Sequence, residues 1–127
     1  DMSKKLILCL AFFAGCLSYA AAQAELHFEK TTFDFGEFME KDVQTAVFTF
    51  TNTGNEPLII HQAMTTCGCT VADYTKSKIM PGKTGEVRIT YNGKNKPRGH
   101  FKKVVTIRSN AATPMTRIYV TGTMKAK

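Results

Sequence analysis

Apolar and polar residues alternate with a period of two through most of the chain after residue 24. The clearest run is residues 86–91, where Val87, Ile89 and Tyr91 alternate with polar side chains. Such alternation is typical of a strand with one face on a core and one in solvent. Similar runs centre on residues 46–50, 58–61, 101–107 and 118–120, and no helical period of useful length is present.

The first part of this pattern contains a change of parity. Leu26 and Phe28 begin a strand, and Phe33 and Phe35 continue it on the opposite parity, which predicts a kink near residues 31–32. Turn-forming residues then separate the later runs at 52–55, 80–82, 92–93 and 109–114. About seven short strands at this spacing predict an all-β fold, an immunoglobulin-like antiparallel β-sandwich.

The N-terminus has the pattern of an export signal. Lys4 and Lys5 precede the uncharged apolar run 6–13, and Ala22-Gln23-Ala24 is a small-x-small cleavage pattern. We predict a signal peptide at residues 1–24 and a β-sandwich domain at residues 25–127. The chain is therefore expected to be exported, to the periplasm or the cell surface.

A second processing site lies within the same segment. Phe13-Ala14-Gly15-Cys16 resembles the lipobox of bacterial lipoproteins, in which the cysteine is acylated, although leucine is usual where Phe13 stands. Lipidation at Cys16 is thus an alternative to cleavage after Ala24. In that case the protein would reach the membrane only through its N-terminal lipid.

Charge is distributed unevenly along the chain. Residues 25–75 contain two basic and eight acidic residues, whereas residues 76–127 contain 13 basic residues and only Glu86 as an acid. Either this is a solvated surface without a partner, or it attracts an anion. Export argues against nucleic acid, so the expected partner is a protein or an anionic envelope polymer. The predicted patch is Lys94, Lys96, Arg98, His100, Lys102 and Lys103.

The segment T-T-C-G-C-T-V, residues 65–71, allows three interpretations. Alternate residues of an extended strand have Cα atoms about 6.5–7 Å apart, so a Cys67–Cys69 disulfide requires Gly68 to fold the backbone. Such a bond would take part in thiol–disulfide exchange or would be structural, and a structural role is equally open to two small buried cysteines at a bend after the third strand. Alternatively, Cys67 and Cys69 with His61 and Met64 would bind a soft metal, Cu(I) or, without Met64, Zn²⁺.

Enzymatic motifs are absent from the sequence. It has no H-E-x-x-H pattern, no glycine-rich phosphate loop after a strand, and no locally spaced pair of carboxylates suited to acid–base chemistry. We therefore expect a non-enzymatic module without a cofactor. Its oligomeric state is not encoded in any pattern that we recognise.

Four motifs in a fixed order suggest a family. They are F-T-F-T-N-T-G-N-E-P-L-I-I, T-T-C-G-C-T-V, I-M-P-G-K-T-G-E-V-R-I-T-Y and R-G-H-F-K-K-V-V-T-I-R-S-N. Over residues 43–124 the chain resembles the bacterial exported family catalogued as domain of unknown function number 1573, common in Bacteroidetes. The resemblance implies an immunoglobulin-like fold and a protein that is secreted or anchored as a lipoprotein. It implies no activity and no catalytic residues.

Overall fold

The computed structural model describes residues 22–125, and these form strands and no helix. The all-β prediction is therefore confirmed. There are eight strands: β1 (Leu26–Phe28), β2 (Thr32–Met39), β3 (Gln44–Asn52), β4 (Ile60–Thr65), β5 (Thr70–Tyr74), β6 (Thr84–Tyr91), β7 (Gly99–Ser109) and β8 (Met115–Lys125). Among the described residues, no helix is long and apolar enough to cross a membrane.

Two four-stranded sheets make the sandwich, in the orders β1-β3-β6-β5 and β2-β8-β7-β4. The change of parity at residues 31–32 marks the point where the chain passes from the first sheet to the second. After it, β2 runs parallel to β8, from Thr32 beside Tyr119 to Met39 beside Lys125. The other strand pairs of the described residues are antiparallel, so the predicted sandwich is confirmed with this one parallel pair in it.

Two strands differ from the sequence prediction. The third strand was expected at residues 58–61, but β4 begins at Ile60, because the backbone N–H and C=O of Leu58 are both bonded to Ile79, at 2.8 and 2.9 Å. The short strand β5 was not expected. It pairs with β6 from Thr70 beside Tyr91 to Tyr74 beside Val87, and forms one edge of the first sheet.

The inner faces of both sheets supply the core. Side chains with no exposed area include Phe50, Leu58, Val87, Ile89, Val105, Ile107, Ile118 and Val120. The ring of Phe28 contacts those of Phe48 and Phe50 edge to face, with centroids 6.4 and 5.5 Å apart. These are the alternating apolar positions from which the strands were predicted, so burial of one strand face accounts for the pattern.

Asn52 organises one end of the sandwich. It is fully buried, and its Nδ2 donates to the carbonyls of Glu56 and Ile79 at 2.7 and 2.9 Å. Its Oδ1 accepts from the backbone N–H of Glu25 at 3.2 Å and of Gly54 at 2.9 Å. One side chain thus joins the N-terminal segment, the β3–β4 connection and the segment before β6.

Residues 23–25 are part of this end. Ala24 is 2% exposed and forms a bridge with Ala111, and its carbonyl accepts from the N–H of Ala112 at 3.0 Å. Gln23 and Asn55 bond to each other twice, at 2.8 and 3.0 Å. The folded unit therefore begins before residue 25, where we placed the domain boundary. The remaining residues of the predicted signal, up to residue 21 and including Cys16, lie outside the described residues.

Candidate functional site

The two cysteines lie in a tight turn between the edge strands β4 and β5. The carbonyl of Cys67 accepts from the N–H of Thr70 at 3.1 Å, which closes a four-residue turn. The turn shortens the Cys67–Cys69 Cα distance to 5.2 Å, and the two sulfurs are joined in a disulfide. The turn is held to the connection between β6 and β7 by a 2.8 Å hydrogen bond from the N–H of Asn92 to the carbonyl of Cys69. We call this end of the sandwich the cysteine end.

The chain folds at Gly68 and brings the two cysteines together, as the disulfide interpretation requires, but the turn does not need a glycine at Gly68. Its φ is negative, unlike those of Gly36, Gly82 and Gly99, and a Cβ built on it would meet no atom within 4 Å. The turn therefore brings the sulfurs together in a conformation open to any L-residue. Neither backbone geometry nor packing requires a glycine at this position.

Beneath the disulfide is a small apolar cluster, separate from the main core. It consists of Phe38, Cys69, Tyr91 and Met124, with Cys67, Phe35 and Phe101 packed against it. The rings of Tyr91 and Phe101 are stacked, with centroids 4.2 Å apart, and Phe38 meets both edge to face. A Cβ on Gly93 would overlap the Met124 sulfur, so any other residue there would require the Met124 side chain to move.

The residues proposed for a metal are not brought together. With Cys67 and Cys69 bonded to each other, neither offers a thiolate. Met64 pairs with Thr106 on the outer face of the second sheet, while Ala63 and Thr65 face inward. His61 is exposed at a register shift in β4. Within residues 22–125 no group of three or more His, Cys, Asp or Glu side chains is placed to hold a metal ion.

The predicted basic patch is divided by the structure. Lys94, Lys96 and Arg98 are exposed in the loop 92–98 between β6 and β7, which we call the basic loop. His100 and Lys102 are exposed on β7, on the outer face of the second sheet, where the Lys102 ammonium lies 4.6 Å from the centre of the Tyr119 ring. These five positions remain close to the cysteine end.

Lys103 is the exception in this patch. It is half-buried and lies on the same face of β7 as Phe101 and Val105, which pack inward. The alternation of β7 was visible in the sequence and could have separated Lys103 from Lys102.

The basic loop has a defined conformation. Its first turn is fixed by the Asn92 side chain, which accepts from the N–H of Lys94 at 3.1 Å, and by the N–H of Lys96, which donates to the carbonyl of Gly93 at 2.9 Å. Asn95 has a φ of 64°, a left-handed conformation that asparagine tolerates better than most residues. The cations of the loop are thus presented on an ordered backbone.

A family model described as "Protein of unknown function (DUF1573)" matches residues 26–124. The chain belongs to the DUF1573 family. The family predicted from the four motifs is therefore confirmed. No curated protein matches the sequence.

Solved structures similar to this DUF1573 chain share its fold. A protein of unknown function from Porphyromonas gingivalis W83 is 23% identical with a TM-score of 0.69; the match covers 84% of this chain and 50% of that protein, so the chain spans about half its length. The PapD-like domain 7 of human CEP192 is 9% identical (TM-score 0.67; 86% of this chain, 91% of that chain). The periplasmic chaperone SfaE is 12% identical (TM-score 0.61; 79% and 58%). At these identities the likeness shows the immunoglobulin-like fold alone.

Tyr91 makes the free energy of unfolding depend on pH in the alkaline range. Burial raises the pKa of its phenol above the ordinary value of 10.0. As the pH rises through that value, the unfolded chain loses the proton while the folded protein retains it, so the free energy of unfolding falls. We expect Tyr91→Phe to remove this part of the alkaline loss. Urea unfolding of both proteins at neutral and alkaline pH measures it, and an equal loss in the variant would contradict the assignment.

Proposed function

We propose that this protein is a non-enzymatic binding module of the bacterial cell envelope that holds an anionic envelope polymer at its cysteine end. The observation that carries the proposal is the set of exposed cations on the ordered basic loop. Lys94, Lys96 and Arg98 take part in none of the three ion pairs formed among the described residues. Their charge is therefore available to a partner.

The outer face of β7 extends this surface. His100 and Lys102 follow directly from the basic loop, and Arg108 and Arg117 are exposed toward the far end of the same sheet face. Lys102, Arg117 and Arg108 thus space cations along one face of a sheet, which suits a polymer with repeated phosphate or carboxylate groups. Export, predicted from the N-terminal segment, would place the domain where such polymers occur.

A protein partner that adds a strand to a sheet edge is a second candidate, and the PapD-like fold of the similar structures is consistent with it. Three of the four edge strands offer limited room for it, and the fourth, β5, has only five residues. β1 has three residues, and both β2 and β4 contain register shifts, near Gly36 and His61, which interrupt a regular ladder. We therefore favour the cysteine end as the binding surface.

The test neutralises the loop. Replacing Lys94, Lys96 and Arg98 with glutamine should weaken binding to purified lipopolysaccharide at low salt about a hundredfold, at about 1 kcal/mol for each cation lost near an anionic surface. Binding by the wild type should weaken with added salt, and the variant should show a smaller salt dependence. Isothermal titration at several salt concentrations measures both.

A matched variant controls for net charge. Lys76, Lys78 and Lys83 are exposed in the connection between β5 and β6, at the opposite end of the sandwich. Changing these three to glutamine removes the same charge and should leave most of the affinity. Equal weakening by both triple variants would mean that binding follows net charge and would refute a site at the basic loop.

A further inference from the structure

The two sulfurs of the disulfide differ in their access to solvent. Cys67 is half-buried at the mouth of the turn, whereas Cys69 is 4% exposed and packs within the cluster of Phe38, Tyr91 and Met124. A reagent that arrives from solvent therefore meets the sulfur of Cys67 first. Exchange at a disulfide depends on which sulfur is attacked and on access to it.

The buried sulfur has a polar neighbour. The side chain of Thr70, which is 3% exposed, places its hydroxyl 3.6 Å from the Cys69 sulfur. Burial among aromatic rings disfavours a thiolate, and a hydroxyl that can donate to it acts in the opposite direction. The Cys67 sulfur also accepts a hydrogen bond, from the N–H of Cys69 at 3.3 Å, so the two sulfurs differ in access and not in having a polar neighbour. Cys69 is the sulfur that stays inside the protein after the bond opens.

The open side of Gly68 is the third observation. A Cβ on Gly68 would meet no atom within 4 Å apart from its chain neighbours, so the missing side chain leaves open space at the residue that joins the two cysteines. Glycine allows another molecule to approach the backbone closely. Cys67, which directly precedes Gly68, is the more exposed of the two cysteines.

From this asymmetry we propose that the Cys67–Cys69 disulfide is a thiol–disulfide exchange site, with Cys67 as the attacked sulfur and Cys69 as the leaving sulfur. An incoming thiolate forms a new S–S bond to Cys67, the Cys67–Cys69 bond breaks, and its electron pair goes to Cys69, which takes a proton from water. A second thiol then attacks the sulfur of the first, which releases an oxidised disulfide and leaves the protein as a dithiol. Two thiols are oxidised and one protein disulfide is reduced. This site does not depend on the anionic partner proposed above.

The attacked sulfur can be identified in the unaltered protein. Oxidised wild-type protein is mixed with excess reduced glutathione, quenched with acid at intervals and analysed by intact mass and peptide mapping. We expect a glutathione adduct on Cys67 in preference to Cys69 by about tenfold or more, as its greater access implies. An adduct mainly on Cys69, or a disulfide that stays intact while a control peptide disulfide is reduced, would overturn the proposal.

Single-cysteine variants test independently whether Cys67 is more reactive than Cys69. In Cys69→Ser the remaining Cys67 should form a mixed disulfide with glutathione disulfide about tenfold faster than the remaining Cys69 does in Cys67→Ser. Equal rates would contradict the assignment. Circular dichroism spectra of both variants establish that they are folded before the rates are compared.

Substitutions of Gly68 test whether the exchange rate at Cys67 can be lowered without a loss of stability. Gly68→Ala and Gly68→Leu should both keep the stability of the wild type, since a Cβ there contacts nothing within 4 Å. The larger side chain should slow adduct formation on Cys67 several-fold, about as expected for a partly blocked sulfur. Unchanged exchange in Gly68→Leu would show that the open space has no part in the reaction.

Discussion

Replacing Asn52 with alanine is expected to lower the free energy of unfolding by about 3–5 kcal/mol, because a buried side chain that makes four hydrogen bonds is lost. The N–H groups of Glu25 and Gly54 and the carbonyl of Glu56 each bond to Asn52. Removing the side chain leaves these backbone groups without that partner at a partly buried site. Urea unfolding followed by circular dichroism measures the loss.

Two further variants make this result specific. Asn52→Asp keeps the shape and the acceptor oxygen but turns the donor into an oxygen that faces the carbonyls of Glu56 and Ile79, so a large loss should remain. Asn92→Ala removes an exposed asparagine whose side chain, among residues 22–125, caps one backbone N–H, that of Lys94, and should cost no more than about 1 kcal/mol. If Asn52→Ala were no more destabilised than Asn92→Ala, the hydrogen bonds of Asn52 would not be what stabilises this end of the sandwich.

The strands that could be predicted from the sequence are those with one face on the core. Val87, Ile89 and Tyr91 in β6, or Ile118 and Val120 in β8, are buried while their neighbours are not, so their period of two is visible. β5 lacks this signal, because its Thr70 is a polar residue facing inward. The passage of the chain between sheets at residues 31–32 appeared only as a change of parity.

The candidate site was predictable in its charges and not in its geometry. The basic loop could be identified because lysine and arginine positions need no fold to be seen. The cysteine turn is closed by a hydrogen bond between Cys67 and Thr70, which no sequence pattern shows. The chain folds at Gly68 as the disulfide interpretation requires, but in a conformation that does not need glycine. From the sequence, Asn52 was interpreted only as a turn residue. Its buried hydrogen-bond network could not be predicted, because its partners Glu25, Glu56 and Ile79 come from three separate segments that only the fold brings together.

A protein that begins at Glu25 is expected to be less stable than one that begins at Gln23 by about 3 kcal/mol, at about 1 kcal/mol for each hydrogen bond lost. The shorter chain lacks both bonds between Gln23 and Asn55, and the bond from Ala112 to the carbonyl of Ala24. It also exposes the apolar surroundings of Ala24, which is 2% exposed. Thermal and urea unfolding of the two purified proteins measure the difference.

A third protein that begins at Ala22 is the control, since Ala22 is exposed and its presence should change stability by less than about 0.5 kcal/mol. If the protein that begins at Glu25 is the least stable of the three, cleavage after Ala24 would remove residues that stabilise the fold. We then expect the N-terminus of the protein from its native envelope to lie at or before Gln23, where Ala20-Ala21-Ala22 supplies another small-x-small pattern. Intact mass determines this directly, and an N-terminus at Glu25 in a chain as stable as the longer ones would contradict it.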